Sequence, residues 1–170
     1  MVKEKSTNEL IKELLEKRDH ESKNQIEKFI NPDYSDLKNP FDFENMEAIV
    51  NKIISARENN EKIFIYGDYD VDGISGTAFL TKFFNEIGIS ADCYIPSRKE
   101  TDYGVSKKSI DYFHKRQGKL VITVDTGYNT IEDVRYAKSL GIEIIVTDHH
   151  KTVKEKFDDE ILYLNPKLSK

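Results

Sequence analysis

Between residues 7 and 30 the apolar positions recur at three- and four-residue steps, first in NELIKELLEK and again in SKNQIEKFI. That spacing predicts two short amphipathic helices. NPDYSDLKNPFDF, with two prolines and several Asn and Asp, breaks the pattern and reads as a connecting loop. Helical spacing resumes in ENMEAIVNKIISAREN through Met46, Ile49, Val50, Ile53 and Ile54. From residue 62 short β-branched runs alternate with amphipathic segments. KIFIY, ADCYIP, KLVITVD and IEIIVTD are the expected strands, with ILYLNP a candidate last one. SGTAFLTKFFNEIG, SKKSIDYFHKRQG and NTIEDVRYAKSLG are the expected helices, closed by Gly88, Gly118 and Gly141. Regular alternation predicts an α/β fold with a mostly parallel β-sheet flanked by helices. Residues 1–60 are expected to form a helical N-terminal extension and residues 61–170 the α/β domain.

At 170 residues the chain has material for one ordinary core and a second small one. A single cysteine, Cys93, excludes an internal disulfide, and MVKEKSTNEL carries no apolar signal segment. No run reaches the roughly eighteen apolar residues that a membrane span requires, so a cytoplasmic location with no membrane partner is expected. The net charge of -5 argues against a general nucleic-acid-binding surface, but it conceals a local reversal. Between Arg98 and Lys119 seven Lys and Arg face three acids. Such a flank is either a solvated helix face or a place for backbone phosphates.

The strand ends hold the chemistry. KIFIY runs into Gly67-Asp68-Tyr69-Asp70-Val71-Asp72-Gly73, LVITV into Asp125-Thr126-Gly127, and IEIIVT into Asp148-His149-His150. In a parallel sheet these ends share one rim, where ligands bind. One aspartate after a strand is commonly a helix cap or a turn residue. Three strands doing so together need positive charge among them, because converging carboxylates otherwise take up protons. Oxygen donors with an imidazole suit Mn²⁺ or Mg²⁺, and the number of candidate ligands fits two ions bridged by a shared carboxylate, Asp125, activating water for attack on a phosphate ester. Asp68-x-Asp70-x-Asp72-Gly73 also begins like an EF-hand loop, yet its twelfth position is Phe79 and a strand enters it. The P-loop lysine is missing, and no G-x-G-x-x-G follows the first strand.

IYGDYDVDGISGTA, VITVDTG and VTDHH resemble the first three motifs of the DHH phosphoesterase superfamily. The stretch from FINPDYSDLKNPFDFENM to LNPK resembles the N-terminal region of its RecJ-like branch of single-strand-specific DNA exonucleases. The resemblance implies that Asp70 and Asp72 face the metal, with Asp68 an additional acid. It makes Asp125 the bridging ligand and His149 a metal ligand. His150 becomes a donor to the substrate phosphate, with Asp148 orienting both histidines. Some phosphatases of the superfamily carry a metal-binding histidine where this chain has Tyr66. PSRKETDYGVS resembles a substrate loop in which Arg98 grips a phosphate, Tyr103 stacks on a base and Gly104 follows, with Asp102 replacing a glycine.

Implied partners are single-stranded DNA and other DNA repair or recombination proteins, with digestion running five-prime to three-prime. A fourth motif and a DHH-associated domain are implied beyond Lys170, so the chain is expected to be an N-terminal part with weak metal affinity and little activity alone. The rival expectations are a phosphodiesterase for short oligonucleotides or cyclic dinucleotides, and a non-catalytic scaffold.

Overall fold

Strand residues alternate between two cores in the computed structural model, which describes residues 6–20, 22–97, 104–127, 131–151 and 161–168. Two compact units are present, Met1–Asn39 and Pro40–Lys170. The first holds α1 (Thr7–Glu16) and α2 (Lys23–Ile30). Each is started by a reciprocal cap, Ser6 with Glu9 and Ser22 with Gln25, which satisfies backbone N–H groups that a helix start leaves open. Leu15 is buried in this unit.

The second unit runs α3 (Met46–Glu58), β1 (Lys62–Gly67), α4 (Val71–Glu86), β2 (Ala91–Tyr94), α5 (Lys107–Lys115), β3 (Gly118–Val124), α6 (Ile131–Ser139), β4 (Glu143–Thr147) and β5 (Leu162–Leu164). The five strands are all parallel in the order β2-β1-β3-β4-β5. Phe64, Tyr66, Val121, Ile144 and Val146 point to one face and join Ile110 and Phe113 of α5 and Val134 and Ala137 of α6. Ile63, Ile65, Leu120, Ile122 and Ile145 point to the other and join Ile49 and Ala56 of α3 and Phe84 of α4. This period-2 division is what a sheet covered on both faces requires. After β1 the chain lays β2 on one side and β3 on the other, so the order reverses between β1 and β3. A crevice at the carboxyl ends follows from that reversal.

Two expectations change. α4 begins at Val71, not at Ser75, because Asp70 caps it and the glycines at 73 and 76 lie inside the helix. Gly118 does not close α5 but opens β3, and the left-handed residue is Gln117 at φ +61°. Gly88 does close α4, with φ +74° and its N–H donating to the Asn85 carbonyl at 3.2 Å. Within the connecting stretch, 3-10 turns form at Tyr34–Asp36 and Pro40–Asp42.

Candidate metal and phosphoester site

Three aspartates sit in equivalent places along the carboxyl rim. The Asp68 N–H donates to the carbonyl of Val124 at 3.1 Å, that of Asp125 to Thr147 at 3.0 Å, and that of Asp148 to Leu164 at 3.0 Å. Each residue just beyond a strand thus continues the ladder onto the last residue of the next strand. Neighbouring strands lie about 4.8 Å apart, so backbone pairing alone brings the carboxylates close together. All three residues are buried. Asp125 takes φ +62°, a left-handed conformation unusual for a residue with a side chain.

Asp70 is delivered by the α4 N-terminus. Its Oδ1 accepts from the N–H groups of Asp72 at 3.0 Å and Gly73 at 3.1 Å. The Gly73 bond above all, offset by desolvation and helped by the Asp72 bond, holds its pKa below the usual 3.8, so Asp70 stays ionised. The helix reaches the strand end only because glycines leave room. A Cβ on Gly73 would fall within the backbone of Asp68, one on Gly67 would overlap the Thr77 hydroxyl, and one on Gly76 would press on Val124.

The turn after β4 is organised by Asp148, whose side chain is fully buried. Its Oδ1 accepts the N–H of His149 at 2.7 Å and of His150 at 3.1 Å, and lies 2.7 Å from His150 Nδ1. Asn165 donates through Nδ2 to the His150 carbonyl at 2.9 Å. On the open side His149 Nε2 is 2.8 Å from Asp125 Oδ1, and His150 Nδ1 is 3.8 Å from the same oxygen.

Two groups of donors overlap at Asp125: Asp68 with Asp70 and Asp125, and Asp125 with His149 and His150. Within each, ligand atoms lie within 4.8 Å of one another. Burial first, then the charge of Asp70, raises the Asp125 pKa above 3.8, against the pull of the two histidines. Burial lowers that of His150, but the hydrogen bond and charge of Asp148, with Asp125 and Asp68, outweigh it and leave it above 6.5. A buried carboxylate crowded by another is a place where a cation is favoured, and carboxylate oxygens with imidazole nitrogens are donors that suit Mn²⁺. Asp72, Asp125, Thr147, Asp148 and His149 line an open cleft of about 340 Å³ here.

Asp68, Asp70, Asp125, His149 and His150 are therefore brought together. Asp72 is exposed and lines the cleft but belongs to neither group, and Asp148 acts through the turn it organises. Tyr66 points away into the α5 core, where its hydroxyl donates to the carbonyl of Gly104, itself buried, at 2.8 Å. Arg98 and Tyr103 lie outside the described residues. Sequence reasoning missed Thr123 and Asn165. Asn165 follows the last apolar strand run in LNPK, a placement that could have flagged it.

Fold and rim together define the class, a parallel α/β domain of the phosphoesterase type with an Asp-His-His turn after a strand. The chain belongs to the DHH family, whose N-terminal domain matches residues 62–170. It is 34% identical over 142 residues to the single-stranded-DNA-specific exonuclease RecJ of Bacillus subtilis, covering 84% of this chain and 18% of that protein. The crystal structure of an exonuclease RecJ bound to manganese superposes with a TM-score of 0.66 at 31% identity, over 75% of this chain and 32% of the other. RecJ from Thermus thermophilus in complex with Mn²⁺ gives a TM-score of 0.66 at 25% identity, over 82% and 19%. The chain thus spans about a fifth of the curated relative it matches. Among the described residues no helix is long and apolar enough to cross a membrane.

Proposed function

We propose that this chain is the DHH portion of a RecJ-like, metal-dependent exonuclease that hydrolyses single-stranded DNA from the five-prime end and works beside DNA repair or recombination proteins in the cytoplasm. The observation that carries the reading is the sharing of Asp125 by two donor groups, Asp68–Asp70–Asp125 and Asp125–His149–His150. Two overlapping groups fit two ions, Mn²⁺ or Mg²⁺, and the solved relatives that hold manganese support the choice of metal. When bound, such ions supply Lewis-acid charge that activates water and neutralises a phosphate.

The chain's own residues do the rest. Asp70 presents a carboxylate whose pKa the Gly73 N–H above all holds low, anchored on the helix start. Asp148 holds the His150 ring through Nδ1, and in this reading the other ring nitrogen serves the substrate phosphate, leaving Asp125 and His149 as the ion's ligands in the second group. Asp72 lines the cleft together with His149. Arg98, Tyr103 and Gly104 form the substrate loop in this reading, with Arg98 gripping a phosphate through its planar fork and Tyr103 stacking on a base of any identity. Lys107 and Lys108, at the start of α5, extend a positive flank toward the strand backbone.

The test places residues 62–170 in a RecJ relative in exchange for its matching segment and follows a labelled single-stranded oligonucleotide in Mn²⁺. Mononucleotide release that Asp125→Ala abolishes is the expected result. An Asp125→Ala chimera as fast as its parent overturns the reading.

A further inference from the structure

Thr123 is fully buried on β3, two residues before Asp125. Its hydroxyl donates to the Thr126 carbonyl at 2.6 Å and accepts the Thr147 N–H at 3.1 Å. The Thr147 hydroxyl in turn donates to the Thr123 carbonyl. Backbone register between β3 and β4 runs from Leu120 opposite Glu143 to Ile122 opposite Ile145. Beyond that point a side chain, not a carbonyl, receives the Thr147 N–H. One oxygen atom thereby joins the turn that carries Asp125 to the strand end that carries Asp148, His149 and His150.

The turn needs such a fastening. Asp125 sits at φ +62°, a left-handed conformation that aspartate tolerates better than most residues and that contacts to the neighbouring strand help to hold. Gly127, at φ +129°, folds back so closely that a Cβ there would stand 3.0 Å from the Thr123 hydroxyl. A threonine buried merely to fill space would satisfy its hydroxyl within its own strand. This one bonds across two separate segments, both of which hold donors of the site.

We infer that the Thr123 hydroxyl is a positioning group that sets Asp125 against His149 and so fixes the spacing of the donor set they share. The inference deepens the metal-site reading and rests on it for the metal alone; the geometric claim concerns the metal-free chain. Thr123→Val removes the hydroxyl at nearly constant volume, and Thr123→Ser keeps it while removing the methyl group.

Two measurements decide the matter: the ¹⁵N resonances of the His149 imidazole in the metal-free chain, and Mn²⁺ affinity by calorimetry. Thr123→Val is expected to move the His149 resonances and weaken Mn²⁺ binding by about 10- to 100-fold, the effect of losing a group that orients a ligand. Thr123→Ser is expected to leave both near the parent. If thermal unfolding shows that the valine variant does not fold, Thr123→Ala takes its place. A folded variant without the hydroxyl whose His149 resonances match the parent overturns the inference, as does a serine variant that shifts them equally. Moved resonances with a parent that binds no Mn²⁺, either as this chain or within the RecJ chimera, would uphold the positioning role and defeat the metal reading.

Discussion

Nε2 of His149 lies 2.8 Å from Oδ1 of Asp125, although the two residues belong to turns after different strands. Across that gap the chain brings an imidazole to a carboxylate that burial and Asp70 both press toward protonation. The contact marks where the two donor groups meet.

The metal-free chain is expected to show a pH-dependent penalty at Asp125. Its folded pKa is raised, so its contribution to stability is fully present below the ordinary 3.8 and is lost as pH rises through the folded value. Asp125→Asn removes this dependence. Melting temperatures of variant and parent, compared from about pH 4 to about pH 7, should shift in favour of the variant as pH rises. Saturating Mn²⁺ should restore the parent and leave the variant unmoved.

Asp70 has two duties that substitution can separate. Asparagine caps a helix as well as aspartate does, so Asp70→Asn should keep α4 in place yet lower Mn²⁺ affinity at least about tenfold. Asp70→Ala removes the cap as well and should unfold at a lower denaturant concentration than the asparagine variant.

Gly73→Ala forces a methyl group into the backbone of Asp68. Either α4 or the end of β1 must move, at a cost of about 1–3 kcal/mol by analogy with other overpacked sites. Calorimetry should report weaker Mn²⁺ binding along with the lower melting temperature, since the displaced helix carries Asp70.

Asp148→Asn keeps the shape of the side chain that receives the His149 and His150 N–H groups but removes its charge. The His150 pKa, held above 6.5 by the hydrogen bond and charge of Asp148 against desolvation, should fall. An NMR titration of the imidazole resonances reads the midpoint directly, and an unchanged midpoint would show that Asp148 does not control the ring.

Most of the fold was legible because its signal is local. Strands such as KIFIY and KLVITV announce themselves by β-branched residues, and each run into acidic residues or histidines marked the rim. Where α4 starts was not legible, since Asp70-Val71-Asp72-Gly73 looks like loop until Asp70 is seen capping the helix. Gly118 misled because Gln117 accepts the left-handed conformation that a glycine would ordinarily supply. Thr123 and Asn165 were hidden for another reason: their partners, Thr147 and His150, are distant in the chain and become neighbours only through strand pairing. Asp125 could be picked as a ligand from its place after a strand, but its backbone conformation could not.

Because Asp68, Asp125 and Asp148 each hang from the pairing of adjacent strands, the sheet serves as a ruler whose graduations are interstrand steps. A one-residue slip of any strand would turn its aspartate to the opposite face, so an error of register removes that donor in a single step. It follows that β5, which contributes none of the five clustered donors, is the outermost mark on that scale: its Leu164 carbonyl receives the N–H of the aspartate that organises the histidine turn.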